Sequence, residues 1–171
     1  MEYGGERREW HALFCAKGKL YSYRLHLGAF QDPLSRQIRY HEQRAVNLTL
    51  LREAAGLFEG GHDFAAFANN PRDKVKKQML DAQGRRRCVR RVEVEDEGNG
   101  DITIRFYLDG ALYKMVRNMV GAMLNVATGR LSLDQLKRLL DGSLRRQDLR
   151  ATWTAAPAHG LCLERVFYDD F

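Results

Sequence analysis

Residues 111–128 constrain the fold more than any other stretch. Their apolar positions recur with helical period around so much of the circumference that a helix here must be covered on most sides. One narrow polar stripe interrupts it, formed by Lys114, Arg117, Asn118, Gly121 and Asn125 at helical spacing. The stripe has two readings. It is a solvated face, or Arg117 reaches into a cleft and pairs with a carboxylate or phosphate, for which its planar fork of donors is suited. Gly121 costs about 1 kcal/mol of helix propensity relative to alanine, which a close approach of neighbouring backbone would explain.

Strands are available to cover such a helix. Residues 19–27 alternate strictly, with Tyr21, Tyr23, Leu25 and Leu27 on one face and Ser22, Arg24 and His26 on the other, as in a half-buried strand. Val92 and Val94 precede the acidic turn 96–100, after which Ile102, Ile104, Phe106 and Leu108 share one face; this pattern predicts a hairpin. A last alternating run, 161–168, follows Pro157. Val46, Leu50, Ala54, Leu57 and Phe58 mark an amphipathic helix stopped at Gly60-Gly61. Ser132-Leu133-Asp134-Gln135 is a capping-box pattern that opens a short helix with Leu133, Leu136, Leu139 and Leu140 inward and Gly142 at its end. Residues 69–87 show no apolar period and read as a surface loop. The order strand, helix, strand, strand, helix, helix, strand predicts an α+β fold in the split βαβ arrangement, an antiparallel sheet with helices on one face. No repeat or linker divides the chain, so a single domain is expected over 10–171 after an N-terminal extension, 1–9.

A formal net charge of +6 favours a polyanionic partner, since Lys and Arg gain free energy by releasing counterions from nucleic-acid phosphates. Arg72, Lys74, Lys76, Lys77, Arg85, Arg86, Arg87, Arg90 and Arg91 are opposed within their run only by Asp73 and Asp81. That run is a solvated loop or an RNA-backbone contact, and the basic composition with aromatics on the sheet favours the contact. Tyr21 and Tyr23 fit core aromatics, or a phenol that faces a cleft and stacks on a base. Trp10 and Trp153 suit stacking or packing equally. Cys15, Cys88 and Cys162 are odd in number and widely spaced, which argues against a disulfide framework and fits a reducing compartment. Neither CxxC spacing nor a histidine pattern points to zinc, so no structural metal is expected. His11, His62 and His159 have no neighbouring Ser, Cys or Asp arrangement of the kind that marks a nucleophile pair, and structural roles suit them. No apolar run is long enough to cross a bilayer, and the start of the chain is polar; an intracellular protein of cytoplasm or organelle, without a membrane partner, is expected.

Several stretches, taken in order, resemble the RNA pseudouridine synthases of the TruA type. Trp10-His11-Ala12-Leu13-Phe14 is similar to the family's F-H-A-R-F, and Lys19-Leu20-Tyr21-Ser22-Tyr23 to its basic-x-Y-x-Y strand. Residues 60–67, which end in Gly61-His62-Asp63-Phe64-Ala65-Ala66-Phe67, resemble G-x-x-D-F-x-x-F. Met115-Val116-Arg117-Asn118-Met119-Val120-Gly121 resembles the M-V-R-N-[IM]-V-G helix, and residues 155–163 the A-P-x-x-G-L-x-L ending. The helix and the ending together are specific, and the resemblance spans residues 10–168.

Such enzymes isomerise uridine to pseudouridine in tRNA without a cofactor. An aspartate attacks the nucleotide, the base rotates, and it reattaches through carbon. The target must leave its stack to be reached. By position the resemblance implies that Tyr21 is the cleft tyrosine, Arg117 the arginine that pairs with the aspartate, and Leu161 the apolar residue lining the base pocket. Gly160, His11, Lys114, Asn118, Arg85, Arg86 and Arg87 are expected to contribute to substrate binding. The family's G-R-T-D-x-G-V-H block, which holds the aspartate, does not occur in these 171 residues, and Leu13 replaces an arginine. The chain is therefore expected to be the C-terminal half, inactive alone, with the nucleophile supplied by an N-terminal half or a partner chain. RNA, tRNA or rRNA, is the expected partner, with a homodimer or a ribonucleoprotein as the assembly. The alternative is a non-catalytic RNA-binding or scaffold component of a ribonucleoprotein, descended from this family.

Overall fold

The computed structural model describes residues 10–12, 15–69, 84–149, 153–169 and 171. The extension 1–9, Leu13 and the basic positions 72–77 lie outside the described residues. Strand β1 (Gly18–His26) is central. It pairs antiparallel with β5 (Asp101–Leu108) along its length, and β5 pairs antiparallel with β4 (Arg86–Gly98). The other side of β1 is shared. Strand β6 (Leu161–Phe167) runs antiparallel against Gly18 to Tyr23, while the two-residue β2 (Tyr40–His41) lies parallel to Leu25 and His26. A short β3 (Gly60–Asp63) closes the far edge against β4. The four long strands thus run β6–β1–β5–β4 with every pairing antiparallel, the order of the expected split βαβ unit.

Among the described residues, three α-helices follow from local signals. In α1 (Leu48–Gly56) the Asn47 side chain accepts from the amides of Thr49 and Leu50 at 2.9 and 3.1 Å, which places the start after Val46. In α3 (Leu133–Leu140) the capping box is complete, with Ser132 and Gln135 each satisfying the other's amide. Helix α2 (Met115–Ala127) starts four residues later than its periodicity predicts, because Lys114 takes a left-handed conformation (φ 60°) that no helix can continue through. The core lies between the helices and the face of the sheet that bears Tyr23, Leu25, Ile102, Ile104, Phe106 and Leu108. The opposite face bears ion pairs instead, Arg105 to Glu95 and Arg91 to Glu93, both at 2.5 Å.

Two further departures from the sequence reading have physical causes. Strand β4 begins at Arg86, inside the expected surface loop, because its first residues pair with β3; exposed arginines and the Gly60-Gly61 pair hide both strands from an apolar-period test. Ser22, expected on a polar face, is fully buried. Helix α2 is buried almost all round, and only Arg117 and Asn125 escape full burial. At about 1.5–3 kcal/mol for each fully buried large apolar side chain, its packing far outweighs the helix propensity that Gly121 gives up. Among the described residues no helix is long and apolar enough to cross a membrane.

Candidate functional site

Residues 153–157 run across α2, and the approach is as close as Gly121 implied: a β-carbon at Gly121 would come within 2.5 Å of the Thr154 carbonyl oxygen. This segment organises the site. The Ala156 amide donates to the Arg117 carbonyl at 3.0 Å, and the Arg117 Nε–H donates back to the Ala156 carbonyl at 2.6 Å. One residue on, the Tyr23 hydroxyl donates to the Pro157 carbonyl at 2.8 Å. The Arg117 guanidinium is therefore held by its inner nitrogen, and both terminal nitrogens are without a hydrogen-bond partner among the described residues. Half-buried and aimed by one bond, they form a fork ready for a carboxylate or phosphate.

Strand β6 completes this edge. Its register sets Leu161 across from Tyr23 and Leu163 across from Tyr21. Gly160 lets the chain enter β6, since a β-carbon there would sit 2.8 Å from the Tyr23 ring and 2.9 Å from the Arg24 carbonyl oxygen. Tyr21 is half-buried, its hydroxyl makes no hydrogen bond among the described residues, and burial pushes its phenol above the usual tyrosine range. It therefore stays a neutral donor at physiological pH. Tyr23, fully buried, is raised further by the same cause and serves the fold.

The structure sets Arg117 against the 153–157 segment, Gly160 and Leu161 beside Tyr23, and Tyr21 across from β6, and sets the other expected site residues elsewhere. Asn118 is fully buried: its amide donates to the Phe67 carbonyl at 2.8 Å and to Asn69 Oδ1 at 2.9 Å, and its oxygen accepts from Arg146 at 3.1 Å. Lys114 precedes the helix with its ammonium over the Tyr113 ring. His11 is exposed near the far end of β6, where Trp10 and Ala12 contact Tyr168. Arg85, Arg86 and Arg87 lie at the start of β4, toward the opposite edge of the sheet. Sequence reasoning missed Leu163, which stands 49% exposed beside Tyr21; alternation from Leu161 was the signal. It also missed Arg146, which is largely buried, donates to the Trp153 carbonyl and to Asn118, and stacks 4.4 Å over the Trp153 ring.

Beyond Gly121 the same helix face opens into a pocket of about 340 Å³, walled by Tyr40, Arg44, Leu124, Asn125, Arg130 and the 153–157 segment. Arg44 clasps the buried Glu42 carboxylate with its Nε (2.8 Å) and one terminal nitrogen. Burial pushes the Glu42 carboxyl up, but the hydrogen bonds from Arg44 outweigh it and hold the group below the usual carboxylate range. No group of three or more His, Cys, Asp or Glu is placed to hold a metal among the described residues.

A family model described as tRNA pseudouridine synthase matches residues 54–169. A tRNA pseudouridine synthase A 1 of Protochlamydia amoebophila is 35% identical over 162 residues, covering 94% of this chain and 59% of that protein. The tRNA pseudouridine synthase A of Methylacidiphilum infernorum is 37% identical over 161 residues, covering 94% and 58%. That of Lactobacillus helveticus is 36% identical over 166 residues, covering 95% and 57%. The chain thus spans less than two thirds of the length of the relatives it matches. The match takes in the helix that bears Arg117, the 153–157 segment that aims it and the strand that faces Tyr21, and by that measure the chain belongs to the tRNA pseudouridine synthase family.

Proposed function

We propose that this chain is the C-terminal half of a tRNA pseudouridine synthase, supplying Arg117, Tyr21 and Leu161 to a uridine-isomerising site whose aspartate comes from another half. One observation carries the reading: Arg117 is fixed through Nε while its two terminal nitrogens have no partner among the described residues. A half-buried guanidinium in that state calls for an anionic partner, because an uncompensated charge removed from water costs several kcal/mol. An aspartate carboxylate would fill the fork. Tyr21, neutral and flanked by Leu161 and Leu163, offers a flipped base a hydrophobic wall and one hydroxyl donor. The basic composition supplies the RNA-backbone attraction.

The test is reconstitution. The chain is combined with a relative's half that bears the G-R-T-D block, and pseudouridine in tRNA is measured by mass spectrometry. Formation of pseudouridine, abolished by Arg117→Ala and not restored by Arg117→Lys, is the expected result. Retention of tRNA with its uridines untouched would favour the non-catalytic RNA-binding component.

A further inference from the structure

The pocket beyond Gly121 is a second place where RNA chemistry fits. Arg130 stands exposed on its rim, and its side chain has no hydrogen bond or ion pair among the described residues. Arg44 has committed Nε and one terminal nitrogen to Glu42, and the other terminal nitrogen makes no hydrogen bond among the described residues. Glu42 lies 3% exposed and is not part of the pocket wall, so it locks Arg44 in place without presenting a carboxylate to the cavity. Asn125 donates its amide to the Gly121 carbonyl at 2.7 Å, which leaves its side-chain oxygen to accept from a hydroxyl. Tyr40, Leu124 and Pro157 give apolar wall. The volume of about 340 Å³ suits one small-molecule-sized unit and excludes a duplex.

Position adds a second argument. Arg117, Gly121 and Asn125 fall on one helix face, and the pocket shares Ala156 with the carbonyl that aims Arg117. By helical rise, Asn125 lies roughly 12 Å along the axis from Arg117. The 153–157 segment crosses this face at Gly121, so a strand whose target base sits by Arg117 reaches the pocket by passing over that segment.

We propose that the pocket is a nucleotide subsite, taking one nucleotide of the bound RNA beside the target uridine. Its phosphate lies between Arg44 and Arg130, its ribose hydroxyl meets Asn125, and its base lies against Tyr40 and Pro157. This rests on the RNA reading above. The experiment measures binding of single-stranded RNA and of tRNA to the 171-residue chain across a salt series, for wild type and Arg130→Gln. The Arg130 side chain bonds to no other among the described residues, so the fold is expected to be intact, which a thermal melt checks. The slope of log affinity against log salt should fall by about 0.7 for single-stranded RNA, the value for one fewer phosphate neutralised. In parallel, ¹⁵N NMR titrations with uridine monophosphate, uridine and inorganic phosphate follow the amides of Asn125, Arg130 and Thr154. Shifts that saturate with the nucleotide, and that RNA displaces, support the subsite. An unchanged salt slope in Arg130→Gln overturns the subsite and leaves the RNA reading intact. Equal response to inorganic phosphate without competition from RNA overturns it in favour of a free-anion site. Failure of the wild-type chain to retain any RNA overturns both.

Discussion

Asn118 spends its whole carboxamide on the protein, donating to the Phe67 carbonyl and to Asn69 while accepting from Arg146. Its neighbour Arg117 spends one donor and keeps the rest. Asn118→Ala leaves the carbonyl of buried Phe67 without its side-chain donor and removes the bonds to exposed Asn69 and part-buried Arg146, and urea denaturation is expected to show a loss of about 1–3 kcal/mol, with the salt slope of the proposed RNA binding unchanged. Gly121→Ala drives a methyl group into the Thr154 carbonyl, a backbone atom that cannot swing aside, and is expected to cost about 1–3 kcal/mol. Arginine at 117 and glycine at 121 were legible in the sequence because each is costly in an apolar helix without a reason. Asn118 was not, since an amide on the same stripe looks alike whether it meets solvent or a buried turn. The 100° step between consecutive helical residues separates the two, and only the packing of residues 67–69 shows which side is inward.

The elements divide by how their stability is made. Those with a strong apolar period or a cap, α1, α3, β5 and β6, were readable within a few residues of their limits. The edge strand β3 and the start of β4 were not, because glycines and arginines hold them by backbone pairing alone. The short parallel β2 leads into the Glu42–Arg44 clasp, two residues apart and invisible to any periodicity. That clasp makes an acid-range prediction. Glu42 has a lowered pKa in the fold, so its contribution is present above its ordinary value of 4.5 and is lost as pH falls through the folded value. Urea midpoints measured from pH 6 to pH 3 should decline, and Glu42→Gln should flatten that decline while lowering stability at pH 6, where Arg44 loses its anion.

For the molecule as a whole, the split βαβ order was recoverable because every long strand alternates and every long helix has a face. What the order alone could not give is that β2 and β6 divide one side of β1 between them. That division has a consequence for how the chain is made. The central strand is made well before its partner β6, which lies most of these 171 residues further along. Until Leu161–Phe167 has been translated, the Gly18–Tyr23 part of that flank is an open row of amides and carbonyls, a template for wrong pairing. Pulse-labelled hydrogen exchange during refolding is expected to protect the β4–β5 hairpin first and the amides between β1 and β6 last. A ribosome-stalled chain cut before residue 158 should remain protease-sensitive at β1, so this flank of the sheet closes only once β6 has been made.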